Sequence, residues 1–163
     1  MPIRTTNPAT NEVVKDFDEM TDAAVDQSVA QAVDAYALWK KTEYAFRAEL
    51  LYKVAGLLRT RKKELARLIT LEMGKLVDQA EGEIKLSAEI FSYYAKNAEE
   101  FLADKILAPT HGQAFVRHSP MGVILGIQPW NFPFYQVARF AAPNLMVGNT
   151  LLVKHASIVP QCA

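Results

Sequence analysis

The apolar positions change period twice between residues 123 and 154. VILGI (123–127) is a continuous apolar run rich in β-branched residues, the texture of a strand covered on both faces. Phe134, Val137, Ala138, Ala141, Ala142 and Leu145 then recur at helical spacing, Gly148-Asn149 supplies a stop, and TLLVK (150–154) repeats the buried-strand texture. Strand, helix and strand at this spacing predict a parallel βαβ unit. Upstream the periodicity is helical. Val25, Val29, Val33 and Tyr36 form one stripe, opening at a Thr21-Asp22 cap and running to about Trp39. A second helix starts near Thr42, where Leu50, Leu51, Val54, Leu57 and Leu58 keep helical spacing. RTRKKELARLITLEM continues it in the same period to Gly74, a C-terminal cap. A further helix covers 77–103 with Ile84, Ala88, Phe91, Ala95, Ala98 and Leu102 on one side. Residues 4–17 read as a turn-rich loop and one short edge strand. After Pro109, PTHG reads as a turn, QAFVRHS as an alternating strand and PMG as a second turn.

These elements predict an α/β chain in three parts. A helical part spans 1–108, a β-ribbon spans 109–120, and a βαβ unit spans 121–163 as the start of a Rossmann-like sheet. Two parallel strands cannot bury themselves, so the pattern reads as the front part of a longer protein or as a shortened chain. The 163 residues are half apolar and 22% charged, as in ordinary globular proteins. Eighteen basic residues balance eighteen acidic ones, so no basic surplus points to nucleic acid. The run RTRKKELAR is then a solvated helix face. Cys162 is the single cysteine, which excludes an internal disulfide and a cysteine metal cluster and fits a reducing, cytoplasmic setting. No stretch has the ~18 apolar residues of a membrane span. His111 and His118 flank the ribbon without metal-like spacing.

Ligands of open α/β sheets bind beyond the carboxyl ends of the strands. Here those ends carry Gln128-Pro129-Trp130-Asn131 and Lys154-His155-Ala156-Ser157. Adjacent parallel strands lie ~4.8 Å apart, so both segments can face one ligand. Lys154, at the end of a buried strand, calls for an acceptor such as a ribose hydroxyl or phosphate. Asn131 offers an uncharged NH₂ donor, stiffened by Pro129 and Pro133, of use where negative oxygen develops. The same residues fit a packed turn equally well, with Trp130 and Phe132 as core. No G-x-G-x-x-G follows VILGI.

PWNFP after an apolar strand, GNTLLVKHAS downstream, and LITLEMGK followed by Glu81 and Glu83 resemble the aldehyde dehydrogenase superfamily over essentially the whole chain. KHAS…VPQCA and FYQVAR are most similar to its bacterial succinate-semialdehyde dehydrogenases. The resemblance implies Asn131 as oxyanion donor and Ile127, Pro129, Trp130, Asn131, Lys154, His155 and Ser157 as contacts of NADP or NAD. It implies Phe132, Gln136 and Arg139 as substrate contacts, with Arg139 on a distal carboxylate; by spacing alone Arg139 is an ordinary surface arginine. Many NAD-preferring members carry Glu where this chain has Ser157. A hydroxyl can donate to a 2′-phosphate that a carboxylate would repel, which favours NADP. His155 is placed beside the adenine, or bonded to backbone. The implied reaction is thiolate attack on the aldehyde, hydride transfer and glutamate-assisted hydrolysis, with nucleophile and base beyond residue 163. Cys162 matches neither and reads as a bystander. The ribbon implies a homo-oligomer, dimer or tetramer. A non-catalytic truncated paralogue that only folds and associates is the alternative.

Overall fold

The alternating pattern of the first seventeen residues forms two strands rather than one. In the computed structural model, which describes residues 3–163, β1 (Ile3–Thr6) pairs antiparallel with β2 (Val13–Phe17). The intervening loop closes on itself, with Asn7 N donating to Glu12 O and Ala9 N to Asn7 Oδ1. A single edge strand was the sequence expectation. The loop is too short and polar to show a second period.

Helix α1 (Asp22–Trp39) begins as expected at Thr21, whose hydroxyl accepts from Ala24 N. Its apolar stripe is not buried: Val25, Val29 and Val33 are 46, 41 and 51% exposed. Polar bonds tether the helix instead. Tyr36 Oη donates to Pro120 O, Trp39 Nε1 to Leu145 O, and Thr150 Oγ1 to Ala32 O.

The predicted long second helix is two, α2 (Tyr44–Thr60) and α3 (Lys62–Met73), broken at Arg61 (φ −95°, ψ 9°). The break has a packing reason. Leu51 and Ala55 of α2 meet the second half of α4 (Val77–Phe101), whereas Ala66 and Ile69 of α3 turn onto its first half at Ala80 and Ile84. A straight helix could not reach both. Gly74 closes α3 in the left-handed conformation (φ 73°), as its position predicts. The α4 stripe is buried from Ile84 to Ala98, with Leu102 half-buried at the C-cap, and its alanines let α2 and α5 (Pro133–Val147) approach closely.

The ribbon pairs β3 (Lys105–Leu107) with β4 (Ala114–Val116), so it takes in residues upstream of Pro109 that the pattern left with the helices. A three-residue strand is below the reach of any periodicity. Arg117 forks onto Asp104 at its base and holds that carboxyl below its usual range.

The βαβ unit is present: β5 (Val123–Ile127) pairs parallel with β6 (Thr150–Lys154), joined by α5. Asn149 closes it, its Oδ1 accepting from Met121 N and Gly122 N while Nδ2 donates to Asn144 Oδ1. The expectation of strands covered on both faces fails. Gly126 faces Phe140 of α5, so Leu125 and Ile127 point the other way and are 61 and 73% exposed. Across that open face runs a groove of about 420 Å³, bounded by Met20, Val25, Val29, Leu152 and Lys154 among others. No described helix is long and apolar enough to cross a membrane.

Candidate functional site

The two strands leave the sheet together. Ile127 pairs with Lys154, and Gln128 N donates to Lys154 O at 2.9 Å, extending the ladder one step into the PWN segment. His155 ties the segments again: its Nε2 lies 2.9 Å from Pro133 O, and its Nδ1 accepts from Ala156 N at 2.8 Å. A carbonyl only accepts and an amide N–H only donates, so the partners assign the proton to Nε2. Both ring nitrogens are committed to backbone, leaving only the ring faces for a ligand.

Lys154 is exposed, contrary to the buried strand end expected of it, because the open sheet face leaves its side chain in solvent. Its Nζ approaches Ser157 Oγ at 3.5 Å, placing a cation and a hydroxyl on one patch. Ile127 and Lys154 border the same groove. Ser157 borders a second one, with Arg4, Thr6, Asn11 and Glu72. The Glu72 carboxylate is engaged elsewhere, accepting from Thr5 Oγ1, Gln161 N and Cys162 N.

Trp130 and Phe132 are 48 and 42% exposed, so they do not fill core, and Pro129 and Asn131 are exposed beside them. Phe132 is the N-cap of α5 and Pro133 its first residue, where a missing N–H costs nothing. Phe132, Gln136 and Arg139 lie at i, i+4 and i+7 and share one face of α5, away from buried Ala138, Ala141 and Ala142. Gln136 is half-buried. Arg139 is exposed, its guanidinium 5.7 Å from the Tyr135 ring centroid, and no carboxylate pairs with it among the described residues. It stands about 9 Å along the helix from Pro133 at 1.5 Å per residue.

Two further residues serve this segment and were not read as site residues. Glu83 of α4 is fully buried, and its Oε1 accepts from Phe134 N (2.9 Å) and Tyr135 N (3.2 Å). It thereby caps α5, which has no cap from its own sequence. Its Oε2 pairs with Lys75, whose Nζ also donates to Asn131 O at 2.8 Å and lies 3.6 Å from the Phe132 ring centroid. The clue was available: Glu83 and Ser87 interrupt the apolar face of α4 between Ala80 and Ala88. Cys162 is buried, and burial first, then the Glu72 carboxylate, pushes its thiol far up. Such a thiol is inert.

The sequence model of the Aldehyde dehydrogenase family matches residues 1–163. The succinate-semialdehyde dehydrogenase (NADP(+)) of Deinococcus radiodurans is 47% identical over 162 residues, covering 99% of this chain and 34% of its own. That of Mycobacterium tuberculosis is 47% identical over 166 residues, covering 100% and 36%. The crystal structure of succinic semialdehyde dehydrogenase from Streptococcus pyogenes in complex with NADP+ superposes with a TM-score of 0.96 at 42% identity, over 99% of this chain and 36% of that one. The chain spans about a third of the length of these relatives.

Proposed function

The chain belongs to the aldehyde dehydrogenase family, and on that premise we propose that it supplies the oxyanion donor and part of the cofactor site of an NADP-dependent succinate-semialdehyde dehydrogenase. One observation carries the reading. Two parallel strand ends, joined by Gln128 N to Lys154 O, deliver exposed Asn131 and exposed Lys154 from one edge of the sheet. The donor set suits a phosphorylated ribose: an ammonium and a hydroxyl share the patch, and the carboxylate bordering it, Glu72, is directed onto Thr5 Oγ1, Gln161 N and Cys162 N.

When bound, NADP supplies the hydride acceptor. The residues of this chain then bind and orient. Lys154 Nζ donates to the adenosine ribose, and Ser157 Oγ donates to the 2′-phosphate. Ile127, Pro129, Trp130 and a face of His155 give the cofactor apolar contact along the open groove. Asn131 Nδ2 donates to the aldehyde oxygen as it gains negative charge, a contact stronger in the transition state than in the substrate. Phe132 and Gln136 line the approach, and Arg139 holds a distal carboxylate through its planar fork. The ribbon, with Ile106 76% and Phe115 50% exposed, is the surface we assign to self-association, as a dimer or tetramer. We assign the protein to the cytoplasm, in keeping with the free, buried Cys162.

The test is turnover of succinate semialdehyde by the full-length protein with NADP and with NAD. Faster turnover with NADP is the expected result. Asn131→Ala should lower kcat about 10²–10³-fold, far more than it weakens NADP binding. Unchanged kcat removes the oxyanion role. Cofactor binding without any turnover would favour a non-catalytic associating protein instead.

A further inference from the structure

Lys75 and Glu83 form an ion pair with side chains 8 and 0% exposed. Desolvating two charges is costly, and an apolar pair of similar volume would often serve stability as well. What an apolar pair could not do is satisfy the backbone of residues 131–135. Glu83 takes the two N–H groups of Phe134 and Tyr135, and Lys75 takes the carbonyl of Asn131. The result is a closed circuit: α4 to carboxylate, carboxylate to ammonium, ammonium to Asn131 O, then along the chain into α5 and back to the carboxylate. Phe132, between the two anchored points, presents its ring face to the same ammonium.

We propose that Lys75 and Glu83 are positioning residues for Asn131, acting as a bridge that sets the direction of its side-chain amide; this rests on the oxyanion role given to Asn131 above. Asn131 carries both the anchored carbonyl and the donor amide, so fixing its peptide unit orients the bond from Cα to Cβ. The segment has few other anchors toward the protein interior, since Pro129, Trp130, Asn131 and Phe132 are all exposed. A misplacement of about 1 Å at such a donor costs roughly 10²-fold in rate, far more than it costs in binding.

Lys75→Met and Glu83→Gln in the full-length protein test this, with Lys75→Arg as a charge-conserving variant that is expected to fold even if the others do not. Two measurements are made. Deuterium uptake across residues 128–136 should rise several-fold in Lys75→Met and Glu83→Gln while the core of α4 stays protected. Turnover should fall about 10²-fold in kcat, far more than KM for the aldehyde or affinity for NADP changes, and Lys75→Arg should recover part of it. In an Asn131→Ala background, Lys75→Met should add almost nothing, because its effect passes through the missing amide. Unchanged uptake overturns the bridge. Raised uptake with multiplicative losses in the double variant overturns the link to Asn131. If Asn131→Ala alone keeps full turnover, the oxyanion reading falls and takes the catalytic meaning of the bridge with it, while uptake still decides whether the bridge holds the segment.

Discussion

Arg139 is a cation with no acidic partner among the described residues, on the same face of α5 as Phe132 and Gln136. A surface arginine that only solvates would tolerate loss. One that forks a substrate carboxylate would not, because a charge-assisted hydrogen bond contributes about 1.5–3 kcal/mol, or roughly 10–100-fold in binding. Arg139→Ala is therefore expected to raise KM for a carboxylated aldehyde by roughly that factor and to leave KM for an uncharged aldehyde unchanged. Steady-state kinetics on a matched pair of aldehydes checks it, and equal effects on both would return Arg139 to the solvent. Asn131 was legible as chemistry from its place at a strand end, whereas Arg139 reads by spacing as a surface arginine and takes its role only from the family resemblance. Lys75 was visible only within the family resemblance, and Glu83 also as a break in the apolar face of α4. Their work lies in a contact between α4 and the start of α5, 51 residues apart for Glu83 and Phe134, and no local pattern encodes it.

At the β5–α5 contact, Gly126 allows the helix to lie directly on the strand. A Cβ there would sit 2.5 Å from Phe140 Cε1 and 2.7 Å from Gln128 Nε2. Gly126→Ala should cost about 1–3 kcal/mol by displacing the Phe140 ring and the Gln128 side chain, read as a lower denaturation midpoint. Because Gln128 carries the ladder on to Lys154, the same shift should also weaken NADP binding. The βαβ unit was readable because each of its elements is long enough to show a period and each end has a glycine or polar stop; Gly148 closes α5 in the left-handed conformation (φ 108°). The break at Arg61 was not readable. RTRKK contains neither glycine nor proline, and the bend comes from what α4 offers each half. Strand burial was misjudged for a related reason: an apolar run reports what a strand can bury, and in this chain α5 covers only one side of it.

Taken as a whole, the molecule is built around α4, with α2 and α5 on one half and α3 with the 159–162 turn on the other. The second cluster contains the Cys162 thiol, and this makes global stability depend on pH in a defined direction. Below the ordinary thiol value of 9.0 both folded and unfolded chains keep the proton. Above it the unfolded chain releases the proton and the folded chain, whose value is raised by burial, retains it. Stability should then fall as pH climbs past 9.0, by up to ~1.4 kcal/mol per pH unit, and Cys162→Ala should remove that component. Denaturant midpoints at pH 8 and 10.5 for both proteins decide the point. The Glu72 carboxylate beside that thiol also gathers Thr5 from β1 and the amides of residues 161 and 162, and Gln161 Nε2 donates to Thr5 Oγ1 across 156 positions. During synthesis at ~5–20 residues per second, the opening hairpin waits roughly 10–30 s after leaving the ribosome before its clasp partner emerges. Once Glu72 emerges, Thr5 is the one of its three donors already made and the Gln161 and Cys162 amides are still to come, so the first segment translated is among the last to be fully fastened.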